Sequence, residues 1–259
     1  ILSNMDIASQ YSKNGYFLLE NAYSDDEVDK IKSLVSKLNI EEFEHSKDTT
    51  GYPFRITNIL PKNQELKKLI EKPKIISTLK QCIGDDVIFF KDKYISKKKG
   101  SRGEFVPHTD GAFITYNYRL KKETPGWWTY ASKFIHLNIM VTTNTEKNGC
   151  LYIAKRESED PNYYIEKYFL NDRSIKSGET DSKFHDEIKK RSVPITGKKG
   201  TVLIFDPLCL HYSNNNNSDD LRDLFLITYN RAKDGDNYEV SNIDKHNAIK
   251  HHKNFIDDQ

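Results

Sequence analysis

The sequence contains few cysteines, and they follow no recognisable pattern. Cys82, Cys150 and Cys209 are an odd number and no two of them are separated by two residues, which argues against a disulfide framework and against a zinc knuckle. No apolar run reaches the roughly 18 residues that a membrane-spanning helix requires. The opening residues, ILSNMDIASQ, lack the charged-then-apolar order of a secretory signal. These absences predict a protein of the reducing cytoplasm without a membrane partner.

An excess of charge of one sign is also missing. The chain has 259 residues, with 40 Lys and Arg against 38 Asp and Glu, and its formal net charge is +2. Charges of both signs are interspersed, and no basic block is long enough to indicate a nucleic-acid surface. We therefore expect a small-molecule partner and no nucleic acid. Nothing in the sequence indicates an oligomeric state.

The first part of the chain carries helical signals. Ser24 and Glu27 have the spacing of a capping box and precede apolar residues at helical intervals, which is typical of an amphipathic helix. The predicted elements are a short strand at 15–20 and helices at 25–38, 64–70 and 74–82. We expect residues 1–84 to form a helical buttress.

After residue 84 the pattern changes to short strands separated by Gly- and Asn-rich turns. The predicted strands are 86–96, 104–108, 133–142, 150–154, 192–195, 201–206 and 222–230. Helices followed by many strands predict a mainly β fold with flanking helices, a double-stranded β-helix of the jelly-roll or cupin-like kind. We expect a single domain over 1–259, with its core at 85–232, a polar insertion at 156–190 and a peripheral tail at 233–259.

The expected function is organised around His108-Thr109-Asp110. Alternate residues of an extended strand share a face, so His108 and Asp110 can bind one metal ion from a single strand end. His211, in TVLIFDPLCLHYS, is the most promising third ligand. Two imidazoles and one carboxylate form the facial triad of non-haem Fe(II) oxygenases, which leaves positions open for substrates and oxygen. An H-x-D tripeptide also occurs by chance, so the interpretation depends on the segments that follow.

The segment HYSNNNNSDDLR carries more than a histidine. Ser213 follows His211 closely, and Arg222 opens a strand that otherwise reads DLFLITY. The planar fork of arginine pairs with a carboxylate through two hydrogen bonds, which the ammonium of lysine cannot do. Arg222 therefore indicates an anionic partner, although a surface arginine at a strand edge is an open alternative.

Four segments together resemble the phytanoyl-CoA dioxygenase family of Fe(II)- and 2-oxoglutarate-dependent oxygenases. They are YSKNGYFLLENAYSDDEV, HTD, NGCLYI and HYSNNNNSDDLR, and the resemblance extends over roughly residues 10–230. It implies that His108, Asp110 and His211 are the catalytic iron ligands. It also implies a cosubstrate site for 2-oxoglutarate, formed by Arg222, Ser213, Phe105, Ser96 and Tyr94.

The reaction implied by the resemblance is hydroxylation of a C–H bond of a small polar metabolite, with O2 consumed and succinate and CO2 released. Asp110 favours hydroxylation, because related halogenases replace this carboxylate with a small residue. Desaturation, epimerisation and ring closure remain open, since some relatives perform them with an intact triad. After NGCLYI the family usually has a Pro-Gly-Ser-His turn, whereas this chain has AKRES. A coenzyme A thioester is therefore not implied as the substrate.

The substrate residues are predicted from two segments. Asp92, with Tyr94 and Ser96, would present one polar face of a strand to the pocket, although a shift of one residue would present Lys93 and Ile95 instead. Residues 116–131 combine cations with Trp127 and Trp128, which could form a lid over an anionic or zwitterionic ligand. The alternative is that one tryptophan lies in the core and the other at the surface. Asn138 could also reach the pocket, while we expect a structural role for His136, on the same strand face.

Two other functions are compatible with the sequence. A metal-dependent isomerase or epimerase of the cupin type would share the sheet and the histidines but would have no need of Arg222. A small-molecule-binding jelly roll without catalytic activity is the other alternative.

Overall fold

The computed structural model describes residues 4–48, 50–100, 103–169 and 178–257. The helices are α1 (Asn4–Asn14), α2 (Asp25–Ser36), α3 (Gln64–Ile70), α4 (Pro73–Ile83), α5 (Pro161–Tyr168), α6 (His185–Arg191) and α7 (Tyr238–Asp257). The strands are β1 (Tyr16–Leu19), β2 (Glu44–Lys47), β3 (Pro53–Thr57), β4 (Val87–Lys97), β5 (Phe105–His108), β6 (Thr115–Asn117), β7 (Lys122–Thr124), β8 (Phe134–Met140), β9 (Leu151–Ile153), β10 (Val193–Ile195), β11 (Val202–Phe205), β12 (His211–Ser213) and β13 (Arg222–Arg231). None of the helices in these ranges is long and apolar enough to cross a membrane.

Two antiparallel sheets form the body of the fold. The larger sheet has the strand order β1-β11-β8-β13-β4-β3-β2, and the smaller has the order β10-β9-β12-β5. The hairpin of β6 and β7 stands apart from both. This architecture confirms the predicted mainly β jelly roll with flanking helices. Within the predicted helical buttress at 1–84, β1 lies in the predicted strand at 15–20, whereas β2 and β3 were not predicted; the three strands join the larger sheet at its two edges.

The two faces of the larger sheet bury different sets of side chains. Along β13, Phe225 and Ile227 pack with the helices α2, α3 and α4, in the largest apolar cluster. Leu224 and Leu226 alternate with them and point the other way, into a cluster shared with the smaller sheet. Successive side chains of a strand face opposite sides, so this division fixes which residues can reach the space between the sheets.

Helix α2 illustrates how the helical layer is held against the sheet. The Ser24 hydroxyl accepts a hydrogen bond from the Glu27 backbone N–H, and the Glu27 carboxylate accepts one from the Ser24 backbone N–H. This reciprocal capping box satisfies two of the N–H groups that a helix leaves unpaired at its start. The predicted helix at 25–38 is confirmed, ending at Ser36.

The C-terminal tail is packed against the body of the protein. Asp244, on α7, is buried and accepts hydrogen bonds from Asn117, Arg119 and Tyr130. The expectation of a peripheral tail at 233–259 is therefore wrong, because a charged helix can dock through one buried carboxylate that has several donors. Part of the predicted insertion, 170–177, lies outside the described residues.

Candidate active site

Strands β5 and β12 bring the two candidate histidine ligands together. His108 is paired with His211 in the register of these antiparallel neighbours, and their ring centroids are 4.2 Å apart. Asp110 follows directly after β5. One ligand atom from each of these three residues lies within 4.8 Å of the other two, and together they could hold a metal ion.

The ring orientation of both histidines suits metal binding. His108 Nδ1 lies 2.7 Å from the carbonyl oxygen of Val106, and His211 Nδ1 lies 2.8 Å from that of Cys209. A carbonyl oxygen accepts only, so each Nδ1 carries the proton and each Nε2 is left with a free lone pair. The Nε2 atoms lie 3.9 Å and 3.5 Å from the Asp110 carboxylate oxygens. The residues therefore fit a divalent metal.

A third histidine, His136, lies beside the carboxylate. Its Nε2 is 3.0 Å from Asp110 Oδ2, although the two atoms are not aligned closely enough for a full hydrogen bond. Its Nδ1 is 2.9 Å from the Thr228 hydroxyl oxygen. His136 is fully buried on β8. A structural role is what we expect for it from the sequence, and its placement beside Asp110 is seen only in the fold.

Burial sets the protonation of these groups. It lowers the pKa of His108 to about 3, and the neighbouring His211 adds to the effect. It lowers the pKa of His136 to about 4. Burial by itself would raise the pKa of Asp110, but Lys93, His136 and His211 together hold it well below its usual range. Near neutral pH His108 and His136 are thus neutral and Asp110 is ionised, and a neutral imidazole and an ionised carboxylate are the forms that bind a metal.

One cavity extends from these residues between the two sheets. It is lined by Lys93, Ile95, Phe105, His108, Asn138, Leu151, Phe205, His211, Ser213, Arg222, Leu224 and Leu226. The structure therefore brings Phe105, Ser213, Arg222 and Asn138 to the cavity that the sequence predicted for them. Asn138 Oδ1 is buried and has no hydrogen-bond partner among the described residues.

Arg222 lines the same cavity as His108 and His211. Its side chain is 2% exposed, and its Nε has no hydrogen-bond partner among the described residues. Burial lowers its pKa to about 10, so the guanidinium is charged at neutral pH. A buried cation without an anionic partner is costly. Arg222 is therefore a residue that could bind an anion.

A second basic side chain, that of Lys97, lies next to Arg222 and was not predicted. It is paired with Arg222 in the β4–β13 register and is fully buried. Its Nζ donates to Ser213 Oγ at 2.7 Å and to the Asn214 carbonyl oxygen at 2.8 Å. Burial, with the nearby Arg222 adding to the effect, lowers the Lys97 pKa to about 6. At neutral pH the Arg222 guanidinium thus supplies the positive charge at this end of the cavity, and the Lys97 amino group lies beside it as a hydrogen-bond donor.

The predicted pocket face of β4 is wrong by one residue. Tyr94 and Ser96 both donate to the buried Asp223 carboxylate, on the side of the sheet that faces the helices. Asp92 accepts hydrogen bonds from the backbone N–H groups of Ile59 and Leu60 on that same side. Because strand faces alternate, Lys93 and Ile95 line the cavity instead.

The predicted lid is not formed by residues 116–131 in this structure. Trp128 packs against Phe134 and does not line the cavity between the sheets. Trp127 lies against Gly111, where an added Cβ would be 2.3 Å from the indole ring. Arg119 is held by Asp244 in an ion pair of 2.9 Å. The assignment of Trp128 to the substrate pocket is therefore wrong, while Trp127 lies beside the carboxylate end.

Comparison with known proteins gives a consistent result. The family described as phytanoyl-CoA dioxygenase (PhyH) matches residues 11–224. The 2-aminoethylphosphonate dioxygenase of uncultured bacterium HF130_AEPn_1 is 25% identical, with 88% of this chain and 82% of the relative covered. The methylphosphonate hydroxylase of Gimesia maris is 22% identical, with 93% and 85% covered. The crystal structure of EctD from S. alaskensis with bound Fe has the same fold, with a TM-score of 0.67, 19% identity, and 90% of this chain and 78% of that chain covered.

Proposed function

Because the chain belongs to the phytanoyl-CoA dioxygenase family of iron- and 2-oxoglutarate-dependent oxygenases, we propose that it hydroxylates a C–H bond of a small polar metabolite. Succinate and CO2 are the coproducts. The observation that carries the proposal is one cavity lined both by two members of the metal-binding triad, His108 and His211, and by an arginine without a carboxylate partner among the described residues. A metal and a guanidinium that face one cavity suit a ligand with two acidic ends.

The proposed metal ligands are His108, Asp110 and His211. When bound, iron supplies the activation of oxygen and the oxidation of the C–H bond. The protein contributes two imidazoles fixed by backbone carbonyl groups and a carboxylate kept ionised by its surroundings. A facial arrangement of three protein ligands leaves room for the cosubstrate and oxygen.

The proposed 2-oxoglutarate site extends from the metal to Arg222. The guanidinium would grip the distal carboxylate through two parallel hydrogen bonds. Ser213 would donate to the same carboxylate, and the Lys97 amino group, which donates to the Ser213 hydroxyl oxygen, orients it. Phe105, with the Lys97 Nζ 5.3 Å from its ring centroid, flanks the chain of the cosubstrate. The apolar side chains of Ile95 and Leu224 exclude water from the space between.

Hydroxylation is the proposed reaction because Asp110 completes the triad. The two relatives compared above are named for small phosphonates, which supports a small polar substrate here. A cupin-type isomerase or a non-catalytic binding protein would leave the unpaired Arg222 and its neighbour Lys97 without a role.

The proposal is tested by adding Fe(II) and 2-oxoglutarate to the protein under anaerobic conditions. A weak visible metal-to-ligand charge-transfer band is expected, because 2-oxoglutarate bound to Fe(II) through two oxygens absorbs there. A screen of small metabolites for substrate-dependent succinate formation then identifies the substrate. If neither the band nor succinate is obtained, the protein is not an oxygenase of this kind.

A further inference from the structure

The polar insertion at 156–190 contacts the strand that carries the first candidate metal ligand. Strand β5 is the edge strand of the smaller sheet, and a short stretch of the insertion lies along its open edge. There Glu179 forms an isolated antiparallel bridge with His108, and the Thr109 backbone N–H donates to the Gly178 carbonyl oxygen at 3.1 Å. With β12 on its other side, β5 is therefore restrained along both edges.

Gly178 lies too close to β5 to carry a side chain. Its φ of +82° is in the left-handed region, and an added Cβ would be 2.2 Å from the Thr109 carbonyl oxygen. On the other side of the bridge, Thr180 donates to the Pro107 carbonyl oxygen through both its backbone N–H and its hydroxyl, each at 3.0 Å. The insertion thus holds the backbone both before and after His108.

A second contact starts in the AKRES turn, to which the proposed function assigns no role. The Arg156 side chain is 8% exposed, and its Nη1 donates to Asp206 Oδ2 at 2.7 Å. Its Nη2 donates to a Glu159 carboxylate oxygen at 2.9 Å and to the Ser12 carbonyl oxygen at 3.1 Å. Removing one partner of a charge pair so far from water leaves the other charge buried alone, which is costly. The Arg156–Asp206 pair is therefore a fixed point of the structure.

Asp206 belongs to the turn that orients the other two candidate ligands. Its carbonyl oxygen accepts a hydrogen bond from the Cys209 backbone N–H at 2.9 Å. The neighbouring Pro207 carbonyl oxygen accepts from the Asp110 backbone N–H at 3.0 Å. The Cys209 carbonyl oxygen accepts from His211 Nδ1 at 2.8 Å, in the tautomer that leaves Nε2 free for a metal. Through Asp206, Arg156 thus acts on a turn that contacts both Asp110 and His211.

Hydrogen bonds join the two contacts into one unit. Glu157, which follows Arg156, accepts from the Tyr168 hydroxyl on α5 and pairs with Arg191 at the end of α6. The Tyr168 carbonyl oxygen accepts from the Asp181 backbone N–H at 3.1 Å, directly after the stretch that lies along β5. The AKRES turn, both helices and that stretch are therefore held together.

We infer that the described parts of the insertion position the metal site, with Arg156, Gly178 and Thr180 as the positioning residues. The inference rests on the proposed function, because it takes the proposed triad as the metal ligands. None of the three residues belongs to that triad, and each acts through the backbone that carries or orients a ligand. Groups that orient ligands in this way change metal affinity by roughly ten- to a hundredfold when they are removed.

The experiment titrates the metal-free protein with Fe(II) under anaerobic conditions, follows binding by calorimetry and measures urea unfolding in parallel. Gly178→Ala is the main variant and Gly235→Ala is its matched control. Both glycines have a positive φ, +82° and +90°, but an added Cβ at Gly235 meets no atom within 4 Å. Both substitutions strain the backbone. Only Gly178→Ala should also weaken Fe(II) binding, by roughly ten- to a hundredfold.

Two further variants test the contacts one at a time. Arg156→Gln should weaken Fe(II) binding over the same range, and Arg156→Lys should recover part of the affinity because it keeps the charge opposite Asp206. Arg119→Gln is the control, since Arg119 forms an ion pair with Asp244 at 2.9 Å and does not line the cavity. Thr180→Val removes a single hydrogen bond to the Pro107 carbonyl oxygen, so its loss of affinity should be smaller, up to roughly tenfold.

Variants that lose stability as the controls do but bind Fe(II) as tightly as the unsubstituted protein would overturn the inference, and the insertion would then have a structural role only. If Gly178→Ala does not fold, Arg156→Gln and Thr180→Val decide by the same comparison. Weak Fe(II) binding by the unsubstituted protein, with no charge-transfer band when 2-oxoglutarate is added, would instead count against the proposed function.

Discussion

His136 Nε2 lies 3.0 Å from Asp110 Oδ2, and the other ring nitrogen of His136 contacts the Thr228 hydroxyl at 2.9 Å. The imidazole thus links β13 to the candidate metal ligand. Groups that orient a ligand in this way commonly change metal affinity when they are removed. The position of Asp110 is therefore set by its contact with His136 of β8, which β13 holds in place, as well as by its place in the chain after β5.

From this contact we predict that His136→Ala weakens Fe(II) binding by roughly ten- to a hundredfold. The carboxylate would lose a neighbour that restrains its rotation. Anaerobic titration with Fe(II), with binding followed through the 2-oxoglutarate charge-transfer band, measures the effect. A His136→Ala protein that is less stable but binds iron as tightly as the unsubstituted chain would show that His136 only fills space.

The second prediction concerns the carboxylate itself. Asp110→Ala removes one of three metal ligands, so metal binding should fall markedly and substrate-dependent succinate formation should be lost. Asp219→Ala is the matched control, because Asp219 is an exposed acid whose partner is Lys99. Full turnover by Asp110→Ala without added chloride or formate is the outcome that would remove Asp110 from the ligand set.

The third prediction concerns Arg222 and separates the contribution of its charge to 2-oxoglutarate binding from that of its planar shape. Arg222→Lys keeps the positive charge but loses the planar fork, and the loss of a charge-assisted hydrogen bond costs about 1.5–3 kcal/mol. The affinity for 2-oxoglutarate should fall by roughly ten- to a hundredfold, while metal binding is retained. Both are read from titrations of the charge-transfer band.

Arg231→Lys provides the matched control on the same strand. Arg231 lies at the other end of β13 and forms an ion pair with Asp234 at 3.2 Å. Its substitution should leave the dependence on 2-oxoglutarate unchanged. If Arg222→Lys also left it unchanged, Arg222 would have no part in cosubstrate binding.

The long, regularly patterned elements were predictable from the sequence. Strands β4, β8, β11 and β13 and helix α2 all lie close to their expected positions, because their apolar periodicity is strong. The hairpin of β6 and β7 has only three residues in each strand, which is too short for alternation to be recognised. Helix α7 was missed because it is highly charged, and its contacts with the body include the buried carboxylate of Asp244, the ion pair of Lys245 with Glu44 and the stacking of His251 on Tyr118.

The candidate site was predictable where its residues are close in sequence or tied to a motif. His108, Asp110 and His211 were identified in this way. The face of β4 that lines the cavity was not identified. Both faces of this strand carry polar residues, and alternation alone does not tell which set is turned inward. Lys97 could not be anticipated either, since a lysine in a sequence is expected at the surface.

The last prediction tests the reassignment of Asp92. Its carboxylate oxygens accept hydrogen bonds from the backbone N–H groups of Ile59 at 2.8 Å and Leu60 at 2.9 Å. Asp92→Asn would turn an amide N–H toward one of these donors and leave it unsatisfied, which costs about 1–3 kcal/mol of unfolding free energy. The titrations with Fe(II) and 2-oxoglutarate should be unchanged, because Asp92 faces the helical layer.

Urea unfolding measures the loss of stability, with Ser24→Ala as the control. Removing the Ser24 capping hydroxyl costs about 1 kcal/mol at a position remote from the cavity, so it shows how a purely structural loss affects the binding titrations. Asp92→Asn should resemble Ser24→Ala in those titrations. If Asp92→Asn instead impaired substrate-dependent turnover at full stability, the carboxylate would belong to the substrate pocket after all, and the inward face of β4 would have to be assigned differently.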